Sequence, residues 1–125
     1  MEIVKSDSYE EMAMAYQCLE IDRLNQVLKQ QGIADVETRK AICSSYFFQS
    51  GDFMDSRWFK AGGRTLWPEM NFAERALDSQ AGTGEIEKLH LCSDQFAFHE
   101  YAHGDIASYF DEHGEDVSEI ETGDA

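Results

Sequence analysis

Apolar residues in the first half of the chain recur at spacings of three to five: Met12, Tyr16, Leu19, Leu24, Val27 and Leu28 fall roughly on one side of a helix. That period predicts a helix from about Ser8 to Gln31. Ser8 followed by Glu11 matches a capping box, Gly32 stands where a helix stops, and Asp22 marks a candidate break into two shorter pieces. A second helix follows at once, with Asp35 as its N-cap, Val36, Ile42, Cys43, Tyr46 and Phe47 as its apolar stripe, and Gly51 as its end. The two helices are expected to pack as a hairpin.

The period then changes. Arg57 to Ala61 and Arg64 to Trp67 flank Gly62-Gly63, a pair able to take the positive φ angles of a two-residue hairpin turn. This register sets Ala61 opposite Arg64, Phe59 opposite Leu66 and Trp58 opposite Trp67, with the tryptophans stacked on one face. Pro68 interrupts the ladder. A third strand is expected over Glu69 to Arg75, a polar loop over Asp78 to Gly84, and renewed alternation over Ile86 to Cys92. Phe96 to Tyr101 alternates like a strand, yet Phe98, Ala102, Ile106, Tyr109 and Phe110 also form a helical stripe. On the strand reading Ser93-Asp94-Gln95 is a turn and Asp105 caps a short last helix, Ile106 to Glu112. The class that results is α+β: two N-terminal helices, a small antiparallel sheet of three to five strands, and a short C-terminal helix.

Length and composition narrow this picture. With 125 residues, 42% of them hydrophobic and a single proline, the chain suits one domain with one core. Residues 1–113 form that domain. Seven carboxylates between Asp111 and Asp124 meet no basic residue, and past Gly114 only Val117 and Ile120 offer anything to bury, so residues 114–125 read as a flexible acidic tail. The first residues lack a basic region followed by an apolar stretch, and no apolar run approaches the roughly 20 residues that span a bilayer. Cys18, Cys43 and Cys92 are odd in number and far apart, which suits reduced, buried thiols. Together these features point to the cytoplasm.

Charge is the strongest compositional signal. Asp and Glu number 25 against 10 Lys and Arg, a net charge of −15, which argues against nucleic acid or an anionic membrane as a direct partner and favours a basic protein. A compact field of carboxylates speeds association with a cationic site and can fill a groove meant for phosphates, as immunity proteins and nucleic-acid mimics do. The expected function is therefore a small acidic protein-interaction module, an inhibitor among its forms, that binds through carboxylates of the first helix: Glu10, Glu11, Glu20 and Asp22. The expected cofactor content is none.

One segment suggests a different chemistry. His99-Glu100-Tyr101-Ala102-His103 fits HExxH, the pattern of the zinc metallopeptidases called zincins. On a helix, His99 and His103 share a face and can bind one zinc, with Glu100 polarising the metal-bound water as general base. The HExxHxxGxxH extension is absent, and the downstream ligand candidates Asp111, His113, Glu119 and Glu121 lie in or near the tail. The alternative function is thus a zinc-dependent hydrolase, and the competing reading of the segment is an aromatic and histidine packing cluster. His90 and Cys92 could join these histidines in a structural zinc site only if the chain folds back. No GxGxxG, P-loop or GxSxG pattern occurs, so nucleotide binding has no motif. Arg57, Lys60, Arg64 and Arg75 make the hairpin locally basic beside Trp58 and Trp67, suited either to an anion or to balancing nearby carboxylates.

Overall fold

The computed structural model describes residues 1–76, 84–93 and 96–123. Its elements in order are β1 (Glu2–Val4), α1 (Tyr9–Gln30), α2 (Val36–Ser56), β2 (Phe59–Ala61), β3 (Arg64–Leu66), β4 (Phe72–Arg75), β5 (Ile86–His90) and α3 (Phe98–Ala107), which runs into a π-type turn (Ser108–Glu112). The α+β class holds, with two long helices in the first half preceded by the short strand β1, then a hairpin and the other two strands of a small sheet, and a helix closing. The expected loop over Asp78 to Gly84 lies almost wholly outside the described residues, as do Asp94 and Gln95 of the expected turn.

α1 is one uninterrupted helix, and Asp22 does not break it. Ser8 occupies the N-cap without a side-chain capping bond, because its hydroxyl pairs with that of Ser6 at 2.7 Å. At the other end Gly32, with φ +87°, donates to Lys29 O while Ile33 donates to Leu28 O, the paired bonds of a Schellman stop. α2 starts as the sequence indicates, with Asp35 accepting from Thr38 N at 3.0 Å. It does not end at Gly51. Gly51 instead sits buried inside the helix where α3 crosses, and a β-carbon there would lie 2.6 Å from His99 N.

The buried faces of these helices differ from their apolar stripes. α1 buries Tyr9, Ala13, Gln17, Ile21 and Asn25, and α2 buries Arg39, Cys43, Phe47 and Gly51, each at every fourth position. A four-residue step advances about 40° beyond one turn, so each buried line winds around its helix and meets a neighbour at an angle. α3 packs against both α1 and α2. One core joins Ile21, Cys43, Phe47, Ala102, Ile106, Tyr109 and Phe110; a second joins Tyr9, Ala13, Phe96 and Phe98 beneath the sheet. The wider π-type turn lets the adjacent Tyr109 and Phe110 both point inward.

The three-stranded sheet has the order β1-β5-β4. β4 and β5 run antiparallel as expected, while β1 joins in parallel, Ile3 opposite Leu89. β2 and β3 form the foreseen hairpin with Ala61 opposite Arg64, turning at Gly62 (φ +57°) and Gly63 (φ +72°). The ladder stops at Phe59 and Leu66, leaving Trp58 and Trp67 outside it with 54% and 64% of their surface in solvent.

The residues after Gly114 begin as a seated turn rather than a free strand of chain. Glu115, at φ +62°, accepts from Arg39 Nη2 and Asn25 Nδ2, each at 2.9 Å, with Lys29 at 3.5 Å. Val117 packs against the core. Arg39, only 5% exposed, also donates to Asn25 Oδ1 and to the carbonyls of Ile33 and Ala34, so it ties α1, the helix connection and the final turn together.

Candidate functional site

α1 carries all four carboxylates expected to meet a partner, and their surroundings differ. Glu11 is exposed beside Asp7, Glu10 and Met14 on the first turns of the helix. Glu10 accepts from the Tyr101 hydroxyl at 2.9 Å, linking this acidic end of α1 to α3. Asp22 accepts from the Tyr109 hydroxyl at 2.6 Å, an interaction that holds the π-type turn against α1. Glu20 is half-buried, with Arg23 at a long 3.7 Å as its ion-pair partner. The four do not share one face, since Glu20 stands on the opposite side of the helix from Glu11 and Asp22.

Glu20 lies at the rim of a cleft between α1 and α2, floored by Phe98 at the start of α3. Tyr16, Gln17, Tyr46, Phe47, Met54 and Met70 complete most of its wall, around a volume of about 110 Å³. The sequence places Phe47 and Met54 there because the buried line of α2 turns to face α3, and Gly51 allows the helices close enough to shape the floor. Gln17 is 5% exposed, and no protein group donates to its Oε1. Burial, and then Glu20 beside it, pushes the Tyr16 phenol above its ordinary range. Among the described residues that line the cleft none is cationic; its polar groups are the Glu20 carboxylate, the Gln17 amide and the hydroxyls of Tyr16, Tyr46 and Ser50.

The HExxH segment is helical, which puts His99 and His103 one turn apart as a shared metal would require. Their neighbours hold the two rings in place. Asp55, from α2, accepts from the backbone N–H groups of Phe98 at 3.0 Å and His99 at 2.9 Å, and caps α3 in place of Ala97. The same carboxylate bonds His99 Nδ1 at 2.6 Å, which raises the imidazole above its usual range. The two imidazoles flank Phe48, with ring centroids at 6.0 and 5.3 Å. His90 bonds Glu74 across β4 and β5 at 2.5 Å. Among the described residues no group of three or more His, Cys, Asp or Glu is placed to hold a metal ion.

Burial pushes the thiols of Cys18 and Cys43 up to about 11, so both are protonated at neutral pH. The hairpin leaves Trp58, Phe59, Leu66 and Trp67 exposed; Arg57 reaches Asp52 at 3.9 Å, and Lys60 lies 5.9 Å over the Trp58 ring. Among the described residues no helix is long and apolar enough to cross a membrane. No family model matches the chain, and no match emerges among curated proteins or solved structures.

Proposed function

We propose that this chain is a protein-interaction module whose partner presents a basic surface, and that it modulates the partner by occupying that surface, in the manner of an inhibitor, immunity-type protein or nucleic-acid mimic. The observation that supports this most is where the few cations go. Arg39 and Lys29 meet Glu115, Lys40 meets Asp111, Arg23 meets Glu20 and Arg57 meets Asp52. Much of the surplus of carboxylates is left to face water, as Asp7 and Glu11 do at the acidic end of α1. Such a field steers a cationic partner and fades with salt.

The zinc hydrolase reading has less to stand on because no third ligand converges among the described residues; the Asp55 bond to His99 Nδ1 leaves Nε2 open and is compatible with it. Native mass spectrometry after zinc loading, with His103→Ala as comparison, decides it: a zinc held by the parent and lost in the variant would restore that reading.

Binding of an arginine-rich polypeptide tests the interaction reading, measured by calorimetry over a range of salt. Asp7→Lys with Glu11→Lys is expected to weaken binding about tenfold, and Glu119→Lys with Glu121→Lys markedly less although the charge change is equal. Binding that ignores salt, or falls equally in both variants, would remove the specific acidic face.

A further inference from the structure

We propose that two copies of this chain associate about a two-fold axis, the β2–β3 hairpin of each reaching onto the acidic first turns of α1 of the other. Such a dimer goes beyond the reading of a basic partner: it fills the same acidic end of α1 with a segment of the chain itself.

The hairpin is an arm that its own body leaves uncovered. Every residue of β2 and β3 is exposed, and Trp58, Phe59, Leu66 and Trp67 put large apolar side chains into water. An isolated two-stranded ladder is marginal in water, and clustered apolar surface of this kind marks an interaction site. Charge selects what covers it. Arg57 to Trp67 holds Arg57, Lys60 and Arg64 and no carboxylate, in a chain of net charge −15. Even so, among the described residues no carboxylate pairs with Lys60 or Arg64; Lys60 lies over Trp58, and Arg57 reaches Asp52 only at 3.9 Å. The surface that completes the arm is therefore acidic. One stands at the same end of the body, because Met54, near the end of α2, packs against the core that holds Tyr9, at the start of α1, and the Tyr9 hydroxyl donates to Met70 O just past the arm. Asp7, Glu10, Glu11 and Met14 line a shallow hollow there. A two-fold interface needs a patch that complements itself, and this end of the molecule supplies both halves. A long polyanion such as nucleic acid would meet the same carboxylates as it lay along the arm. The net charge of a second copy weighs less, since physiological salt screens charges beyond about 8 Å and the arm responds to the carboxylates it touches.

The test is sedimentation equilibrium of the full chain at physiological salt, from about 1 µM to about 1 mM, which is expected to show monomer passing into dimer. Lys60→Glu with Arg64→Glu, and separately Asp7→Lys with Glu11→Lys, should each weaken the dimer at least about tenfold; all four side chains are exposed, so the fold is expected to survive both changes. Mixed together, the two variants should pair again, because the reversed arm of one meets the reversed α1 of the other while their unaltered halves still match. Trp58→Ala with Trp67→Ala should weaken the dimer without any change of charge. A chain that stays monomeric throughout, a dimer indifferent to both reversals, or variants that fail to pair when mixed would overturn the arm exchange. Monomers that still bind the arginine-rich polypeptide in a salt-dependent way remove the dimer and leave the interaction reading standing; a dimer restored by the charge swap, with no polypeptide binding, does the reverse.

Discussion

Asp105 is a carboxyl group 1% exposed on α3, with no donor to its Oδ2, and burial pushes it up to about 7. Below the 3.8 of a free aspartate side chain it is neutral whether the chain is folded or not. As pH rises past that value the unfolded chain ionises first, so the fold loses stability until Asp105 itself ionises near 7; the gap is equivalent to about 4 kcal/mol. Asp105→Asn should therefore leave stability nearly unchanged at pH 4 and raise it by a few kcal/mol at pH 8. Urea midpoints at the two pH values check this, and a difference that does not grow with pH would disprove it. Gly51 offers a contrasting case. Alanine is the better helix former by about 1 kcal/mol, yet its β-carbon would press on His99 N at 2.6 Å. Gly51→Ala is expected to destabilise by about 2 kcal/mol, visible as a lowered thermal midpoint. Neither residue is conspicuous in the sequence, since an aspartate in a helical stretch reads as a cap or a surface group and a glycine as a stop.

At the scale of elements, the legible parts were those set by local chemistry. Asp35 caps α2, Gly32 closes α1, and Gly62-Gly63 turns the hairpin in the expected register. The buried faces were less legible. Gln17, Asn25, Arg39 and Gly51 hold core-facing positions that an apolar stripe passes over, while Tyr46 and Val27 from the apolar stripes stay in solvent. For the same reason the cleft was hidden: Glu20 was a candidate, but Gln17 and Tyr46 come together with it only when α1 and α2 cross. Asp55, which joins the start of α3 to α2, is distant in sequence from what it caps. The helical state of the HExxH segment was undecidable from its mixed periods. The hairpin itself rests lightly on its own body, so Trp58→Ala with Trp67→Ala should shift the stability of the monomer by less than about 0.5 kcal/mol per residue. At dilutions where the chain is monomeric, acrylamide should quench the fluorescence of both tryptophans freely; a protected fraction there would mean that the rings are covered by their own chain.

Across the whole molecule, the network around Glu115 converts part of the excess negative charge into structure. Arg39 and Asn25 hold its carboxyl below the ordinary carboxylate range. A carboxyl lowered on folding stabilises above its unfolded value and ceases to do so as pH falls through its folded one, opposite in sense to Asp105. Glu115→Ala would strand the buried Arg39, at a cost of about 2 kcal/mol after allowing for the partial exposure of Glu115, and chemical denaturation at neutral pH measures it. The parallel pairing of β1 with β5 bears on time rather than on strength. Glu2 to Val4 must find Lys88 to His90, 86 residues along the chain, and that closure forms after the local helices and the hairpin. Strand β1 therefore belongs to the last steps of folding: removing it should quicken unfolding and leave the folding rate almost untouched, making the first few residues a clasp that sets how long the native state lasts.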